Sequence, residues 1–189
     1  YIHKSPIGAS IARNYGARNA AGEYLWFLDD DAVVNSINLQ NLEGNVVFFD
    51  WKEKPFTPVS GIFFRKLNIV RKSGAPFFTL RKDVFDKVHG FDEQLGPGAE
   101  FNAGEDLDIL LRVDKISKIK KNTIIGSVSH GLELDLGRVS TYAFCRGIVL
   151  RKNKEYVLFF LELLYCCYVF FKVKNFVRLK NFLKGYMAN

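Results

Sequence analysis

Three consecutive carboxylates, Asp29-Asp30-Asp31, follow directly on the apolar run Tyr24-Leu25-Trp26-Phe27-Leu28. Acids this close raise one another's cost of ionisation, and a structural turn needs only one capping Asp. A divalent cation would let all three stay charged. Hard oxygen donors suit Mg²⁺ or Mn²⁺, which takes one or two protein carboxylates and leaves the rest of its shell to water and substrate phosphates. The plain alternative is a solvated turn that caps the next helix. A calcium loop is excluded, because counting from Asp29 puts Val34 where the glycine should be and Gln40 where the closing glutamate should be. A second acidic cluster, Gly104-Glu105-Asp106-Leu107-Asp108, opens a helix behind a glycine-rich loop. A carboxylate at such an N-terminus can take a proton from a substrate hydroxyl. Asp108 reads as structural, paired with Arg112 four residues on. Glu105 and Asp106 read equally well as first-turn charges or as catalytic groups.

The elements that would position these acids alternate between helix and strand. Residues 8–21 are rich in Ala and Arg and free of Pro. Ile11, Tyr15 and Arg18 fall at helical spacing, with Ala9, Ala12, Ala20 and Ala21 as small packing residues, and Gly22 stands just past the end. The run 24–28 shows no alternation, the pattern of a strand buried on both faces. Its acids would then lie at the carboxyl end of a central strand, where open α/β sheets bind ligands. Residues 45–50 read as another strand, and 59–64, 67–72 and 76–81 as β structure. Asp83 caps a short helix through Val88, residues 105–113 form a helix, and 116–130 give one or two strands ending at His130. Residues 138–152, 155–172 and 174–186 are helices. The fold class is α/β, in two parts: residues 1–137 and a helical extension, 138–189.

The chain has 189 residues, 48% hydrophobic and 25% charged, with 18 Phe among 28 aromatics. That composition suits a packed domain and excludes disorder or a fibrous repeat for most of its length. Residues 1–137 carry 17 basic and 18 acidic side chains, whereas 138–189 carry 10 and 2, so the two parts stand at −1 and +8. The basic excess is confined to the extension and gives no sign of a nucleic-acid-binding domain. The run 156–171 is apolar but for Glu162, and as a helix it spans roughly 24 Å, short of the roughly 30 Å hydrocarbon core. With Lys172, Lys174, Arg178, Lys180 and Lys184 following, residues 155–186 suggest peripheral docking on an anionic membrane face, against the alternative of a core helix with a solvated neighbour. Cys145, Cys166 and Cys167 are odd in number and lack metal-site spacing, which fits a reducing compartment.

Two separated blocks resemble one family in the same order. GASIARNYGARNAAGEYLWFLDDDA is similar to the middle of family 2 glycosyltransferases of the GT-A fold, where a segment like ARNxG…AxGEYxxFLDxD leads into a metal-binding Asp-x-Asp. FFTLRKDVFDKVHGFDEQL and GEDLDILLRV resemble the downstream half, an Arg-bearing strand, a GGFDE-like turn and a GED helix. His89-Gly90 stands where the family usually has two glycines. The resemblance runs over roughly residues 6–152 and points to transferases of the bacterial polysaccharide type.

The resemblance implies a GT-A-like, Rossmann-like mixed sheet flanked by helices. It implies an inverting transfer of sugar from a nucleotide-diphosphate donor to a saccharide or lipid-linked acceptor, in cell-surface polysaccharide or glycolipid synthesis. Asp31 would hold Mn²⁺ or Mg²⁺ with Asp29, Asp29 or Asp30 would lie near the ribose, and Arg13 would face the nucleotide. Asp106, with Glu105 beside it, would be the base, and His130 a late metal neighbour. The implied location is cytoplasmic, on the inner face of the cell membrane. Family members begin with a nucleotide-recognising strand upstream of the ARN helix, which this chain would lack. Two rival readings remain. Phe27–Val33 also fits the nucleophile motif of haloacid-dehalogenase-like phosphatases, in which the first Asp attacks phosphate. A transferase-like scaffold without chemistry is the other.

Overall fold

Val46–Trp51 (β3) is buried on both faces over its first four residues, and the run before the triple aspartate is not. Val46, Val47, Phe48 and Phe49 are 5%, 0%, 0% and 2% exposed. Alternate side chains go to opposite faces of a strand. Val46 and Phe48 therefore join one cluster, with Leu25, Phe78, Leu80 and Ile109, and Val47 and Phe49 join another with Val128. The computed structural model describes residues 8–38, 42–52, 65–117, 119, 124–129, 136–173 and 176–188. Its strands are Tyr24–Trp26 (β1), Val33–Ile37 (β2), β3, Phe78–Arg81 (β4) and Ile124–Ser129 (β5). They form one mixed sheet in the order β1-β4-β3-β5-β2, parallel at β3–β5 and antiparallel elsewhere.

β1 is therefore at the end of the strand order, and the expectation of a central strand is corrected. Only Leu25 of its three residues is fully buried, and Leu28 beyond it is 46% exposed. The apolar run misled because its two large aromatics are half-buried with their polar tips satisfied. Tyr24 Oη donates to Gly44 O at 2.9 Å, Trp26 Nε1 donates to Pro76 O at 3.0 Å, and the Trp26 ring stacks on Phe49.

The helices are Ala9–Asn19 (α1), Arg65–Lys72 (α2), Lys82–Lys87 (α3), Glu105–Ser117 (α4), Leu136–Lys152 (α5), Tyr156–Val173 (α6) and Val177–Met187 (α7). The β reading of 67–72 is corrected to helix. Ile69 and Val70 are buried there, and a short apolar run does not distinguish the two periods. Residues 75–77 form a 3₁₀ turn before β4. α4 extends through Ser117 into the stretch read as strand, and β5 supplies the strand expected near its end. Segment 59–64 and His130 lie outside the described residues.

α1 also turns a different face inward from the one its apolar residues suggested. Its buried residues are Ser10, Asn14 and Ala17, while Arg18 is exposed. The inward face is polar because it meets backbone. Ser10 Oγ donates to Leu95 O at 2.5 Å; Asn14 Nδ2 donates to Phe91 O at 2.9 Å, and Asn14 Oδ1 accepts from Phe91 N at 2.8 Å. Buried loop backbone requires such partners. Residues 90–104 are thereby clamped to α1. His89 adopts φ 60° just before Gly90 at φ 70°, so the histidine occupies a left-handed position that glycine takes more easily.

α5, α6 and α7 share a core with α4, formed by Leu107, Leu111, Val149, Leu150, Leu158 and Phe182. Inside this bundle Glu162 accepts from Arg146 Nη1 at 3.1 Å and Arg178 Nη2 at 2.9 Å. Burial opposes its charge, but the two guanidiniums outweigh burial and hold its pKa below the ordinary value. α5 and α7 approach through glycines. A Cβ on Gly185 would sit 1.8 Å from Phe144 O, and one on Gly147 would sit 2.3 Å from Phe182 O. Gly185→Ala must therefore separate the helices, with an expected loss of about 1–3 kcal/mol or more in a urea titration. An unchanged midpoint would mean that this close approach is not present in solution.

Candidate functional site

Both acidic clusters face one cavity of about 830 Å³. Its wall includes Asp29, Asp30 and Asp31 from the turn after β1, and Glu105 and Asp106 from the first turn of α4. Arg13 comes from α1, Ser73 to Phe77 from the turn before β4, and Tyr142 and Arg146 from α5. Of the residues expected in the site, Arg13, Asp29, Asp30, Asp31, Glu105 and Asp106 are thus gathered in one place, and His130 lies outside the described residues. Asp108 is the exception the sequence reading foresaw. It is buried at 1%, bridged to Arg112 and bonded to Asn153 Nδ2 at 2.7 Å.

Arg13 is the centre of this arrangement. Its Nη2 donates to Asp29 Oδ1 at 3.0 Å, and its Nη1 donates to Glu105 Oε1 at 2.9 Å and stands 3.7 Å from Asp106 Oδ1. Burial works against the guanidinium charge, but Asp106, Glu105 and Asp29 more than offset it, and its pKa rises. α1 therefore brings a fixed cation to two clusters that are 76 residues apart (105 − 29). Glu105 is seated by the loop before it, where a Cβ on Gly96 (φ 102°) would lie 3.0 Å from the Glu105 carboxyl carbon and 2.9 Å from Ser10 Oγ.

Asp106 is the strained member. Its Oδ2 accepts from Ala75 N at 2.9 Å, while its buried Oδ1 has no hydrogen-bond partner. Burial raises its pKa first and the Glu105 charge raises it further. Arg13 and the Ala75 N–H pull the other way, and the balance lies at about 8. A carboxyl group of this kind is a candidate proton acceptor.

The triple aspartate is less crowded than its sequence suggests. Asp29 shares Oδ1 with Arg13, and Asp30 and Asp31 are exposed. Among the described residues no three of His, Cys, Asp and Glu gather into a ready ligand set. The donors nonetheless suit an ion shared with a substrate. One or two hard carboxylates beside an open cavity are what Mg²⁺ takes when water and phosphate complete its shell.

Sequence reading missed Ala75, Tyr142 and Arg146. Ala75 acts through a backbone N–H, which no side-chain motif announces. Tyr142 and Arg146 lie four residues apart in α5, a spacing visible in the sequence but without an acid to single it out.

The sequence model of glycosyl transferase family 2 matches residues 1–46, a stretch that holds Arg13, the GEYLWFLDDD run and the triple aspartate. The downstream block that carries Asp106 lies outside the match. No curated protein and no solved structure matches the chain. The match supports a glycosyltransferase in general terms.

Two outcomes follow. Arg13→Ala leaves the buried Glu105 and the partly buried Asp106 without their cation, with an expected loss of about 3–5 kcal/mol in denaturant unfolding. For Asp106 the folded-state pKa stands above the unfolded value. Asp106 therefore contributes stability that is full at acid pH and is lost as pH climbs from the ordinary carboxyl range through about 8. Asp106→Asn removes this loss. Its melting temperature should exceed that of the wild type at pH 8.5, and the gap should narrow towards pH 4. A constant gap across that range would contradict the raised pKa.

Proposed function

We propose that the chain is an inverting glycosyltransferase with a GT-A-like fold. It would move a sugar from a nucleotide-diphosphate donor to a saccharide or lipid-linked acceptor hydroxyl, in cell-surface polysaccharide or glycolipid synthesis. The observation that carries this reading is Asp106 Oδ1. It is a buried carboxylate oxygen without a hydrogen-bond partner, on the wall of a cavity that also holds the triple aspartate.

Asp106 acts as the general base. The Ala75 N–H holds Oδ2, which fixes the carboxyl group and leaves Oδ1 for the acceptor hydroxyl. As that oxygen bonds to the anomeric carbon, the bond from this carbon to the diphosphate breaks and the hydroxyl proton passes to Oδ1. A single displacement with one base inverts the anomeric centre. A pKa near the working pH suits the task. Arg13 keeps Asp106 and Asp29 in register, and Asp29 and Asp30 lie toward the ribose. Arg146, whose Nη1 is on Glu162, has further N–H donors in its planar fork for a phosphate oxygen. Asp31, with Asp29, would hold Mn²⁺ or Mg²⁺, which when bound neutralises charge on the leaving diphosphate.

The phosphatase alternative needs Asp29 as nucleophile. Its Oδ1 accepts a hydrogen bond from Arg13, and that pairing lowers its nucleophilicity.

The test is transfer from a panel of nucleotide sugars with Mn²⁺ by purified wild type, Asp106→Asn and Asp31→Ala. The base assignment predicts a loss of roughly 10²- to 10⁴-fold for Asp106→Asn, with metal-dependent donor binding kept in a thermal-shift assay. Asp31→Ala should lose that binding. Full transfer in either variant overturns the assignment. Release of phosphate from simple phosphoesters would favour the phosphatase. A wild type with no metal-dependent binding would favour the scaffold.

A further inference from the structure

α6 is divided lengthwise. Leu158, Glu162 and Cys166 point inward and are buried. On the opposite side Val157, Phe160, Leu164, Tyr168 and Phe171 are 62%, 61%, 67%, 58% and 77% exposed. Their spacing of 3, 4, 4 and 3 residues keeps them on one face. That face runs roughly 21 Å along the helix at about 1.5 Å per residue, and no charged side chain interrupts it before Lys172. A folded domain rarely leaves so continuous an apolar strip in water unless something covers it.

The surrounding charge indicates what covers it. Residues 138–189 carry 10 basic and 2 acidic side chains, 10 − 2 = +8. Both acids are internal. Glu155 is 5% exposed and bonded to Lys66, and Glu162 is held by Arg146 and Arg178. The outward charge of this part is therefore basic only. Two cations border the strip directly, Lys172 over the Tyr168 ring and Arg178 over the Tyr165 ring. Lys180 and Lys184 are exposed on α7. A second copy would bring two such basic surfaces together. An anionic lipid surface complements both the charge and the aromatic-rich apolar face. No helix among the described residues is long and apolar enough to cross a membrane, so contact through this face means lying in the plane of the interface.

We propose that the outer face of α6 docks on an anionic lipid bilayer, with the side chains from Val157 to Phe171 in the acyl boundary and Lys172, Lys180 and Lys184 on the headgroups. This goes beyond the transferase reading and does not depend on it.

The test is co-sedimentation of the full chain with vesicles of equal phosphatidylglycerol and phosphatidylcholine, and with phosphatidylcholine alone, at low and high salt. The expected partition is at least tenfold higher on the anionic vesicles and falls with salt. Phe160→Asp with Leu164→Asp should abolish it with unchanged circular dichroism, because both positions are exposed. Ile116→Asp, at another exposed apolar residue in α4, should leave it intact. Lys172→Gln, Lys180→Gln and Lys184→Gln should each lower it roughly fivefold. Absence of binding to anionic vesicles at low salt overturns the proposal, as does wild-type binding by the double α6 variant. A dimer in light scattering that the α6 variant converts to monomer, without vesicle binding by the wild type, assigns the face to a second copy instead.

Discussion

One guanidinium holds the two halves of the site together. Five carboxylates line the cavity, and Arg13 touches or approaches three of them, Asp29 through Nη2 and Glu105 and Asp106 through Nη1. The planar fork of arginine allows this, since separate N–H groups reach Asp29 and Glu105 at once. The like charges of the acids would otherwise drive the first turn of α4 away from the turn after β1. With Arg13 between them, repulsion becomes a set of short, directional contacts. α1 is consequently fixed against the sheet by its charge as much as by apolar packing, for its only buried apolar side chain is Ala17.

The same helix explains why two distant sequence blocks belong together. Asn14 is the residue next to Arg13, and its amide pairs both ways with the Phe91 backbone. Ser10, one turn earlier, caps Leu95 O. Arg13 faces the acids while Ser10 and Asn14 hold the loop that leads to Glu105. A change in that loop would move Glu105 and Asp106 relative to Arg13, and Asp106 depends on that spacing for its proton affinity. Ala75 completes the constraint from the far side, through a backbone donor supplied by the turn before β4.

Much of this was legible from residue types, and the failures have physical causes. The helices from 105 and from 136 onward could be read because their apolar spacing is regular and their lengths exceed any strand. The gathering of Asp29, Asp31, Glu105, Asp106 and Arg13 was implied by the family resemblance of the two blocks and not by residue types alone. Strand position was misread because burial on both faces was inferred from an unbroken apolar run. Tyr24 and Trp26 satisfy that pattern while keeping their polar tips bonded at an edge. The inward face of α1 was misread for the opposite reason, since polar Ser10 and Asn14 are buried against backbone that the sequence cannot display. The helix Arg65–Lys72 carries Lys and Arg at four of its eight positions, and its buried pair, Ile69 and Val70, is too short to show a period.

The use of charge also differs between the cavity and the helices α5 to α7. Around the cavity five acids stand beside Arg13 and Arg146, and Asp30 and Asp31 are exposed. In the helical part the imbalance is reversed. Its two acids are bonded to Lys66, Arg146 and Arg178, and Lys154, Lys172, Lys180 and Lys184 are exposed. Arg146 belongs to both settings. It lines the cavity and shares the Glu162 carboxylate with Arg178, on the side of α6 opposite the exposed apolar strip. Only the width of one helix and one ion pair therefore separates the cavity wall from the face proposed to meet lipid.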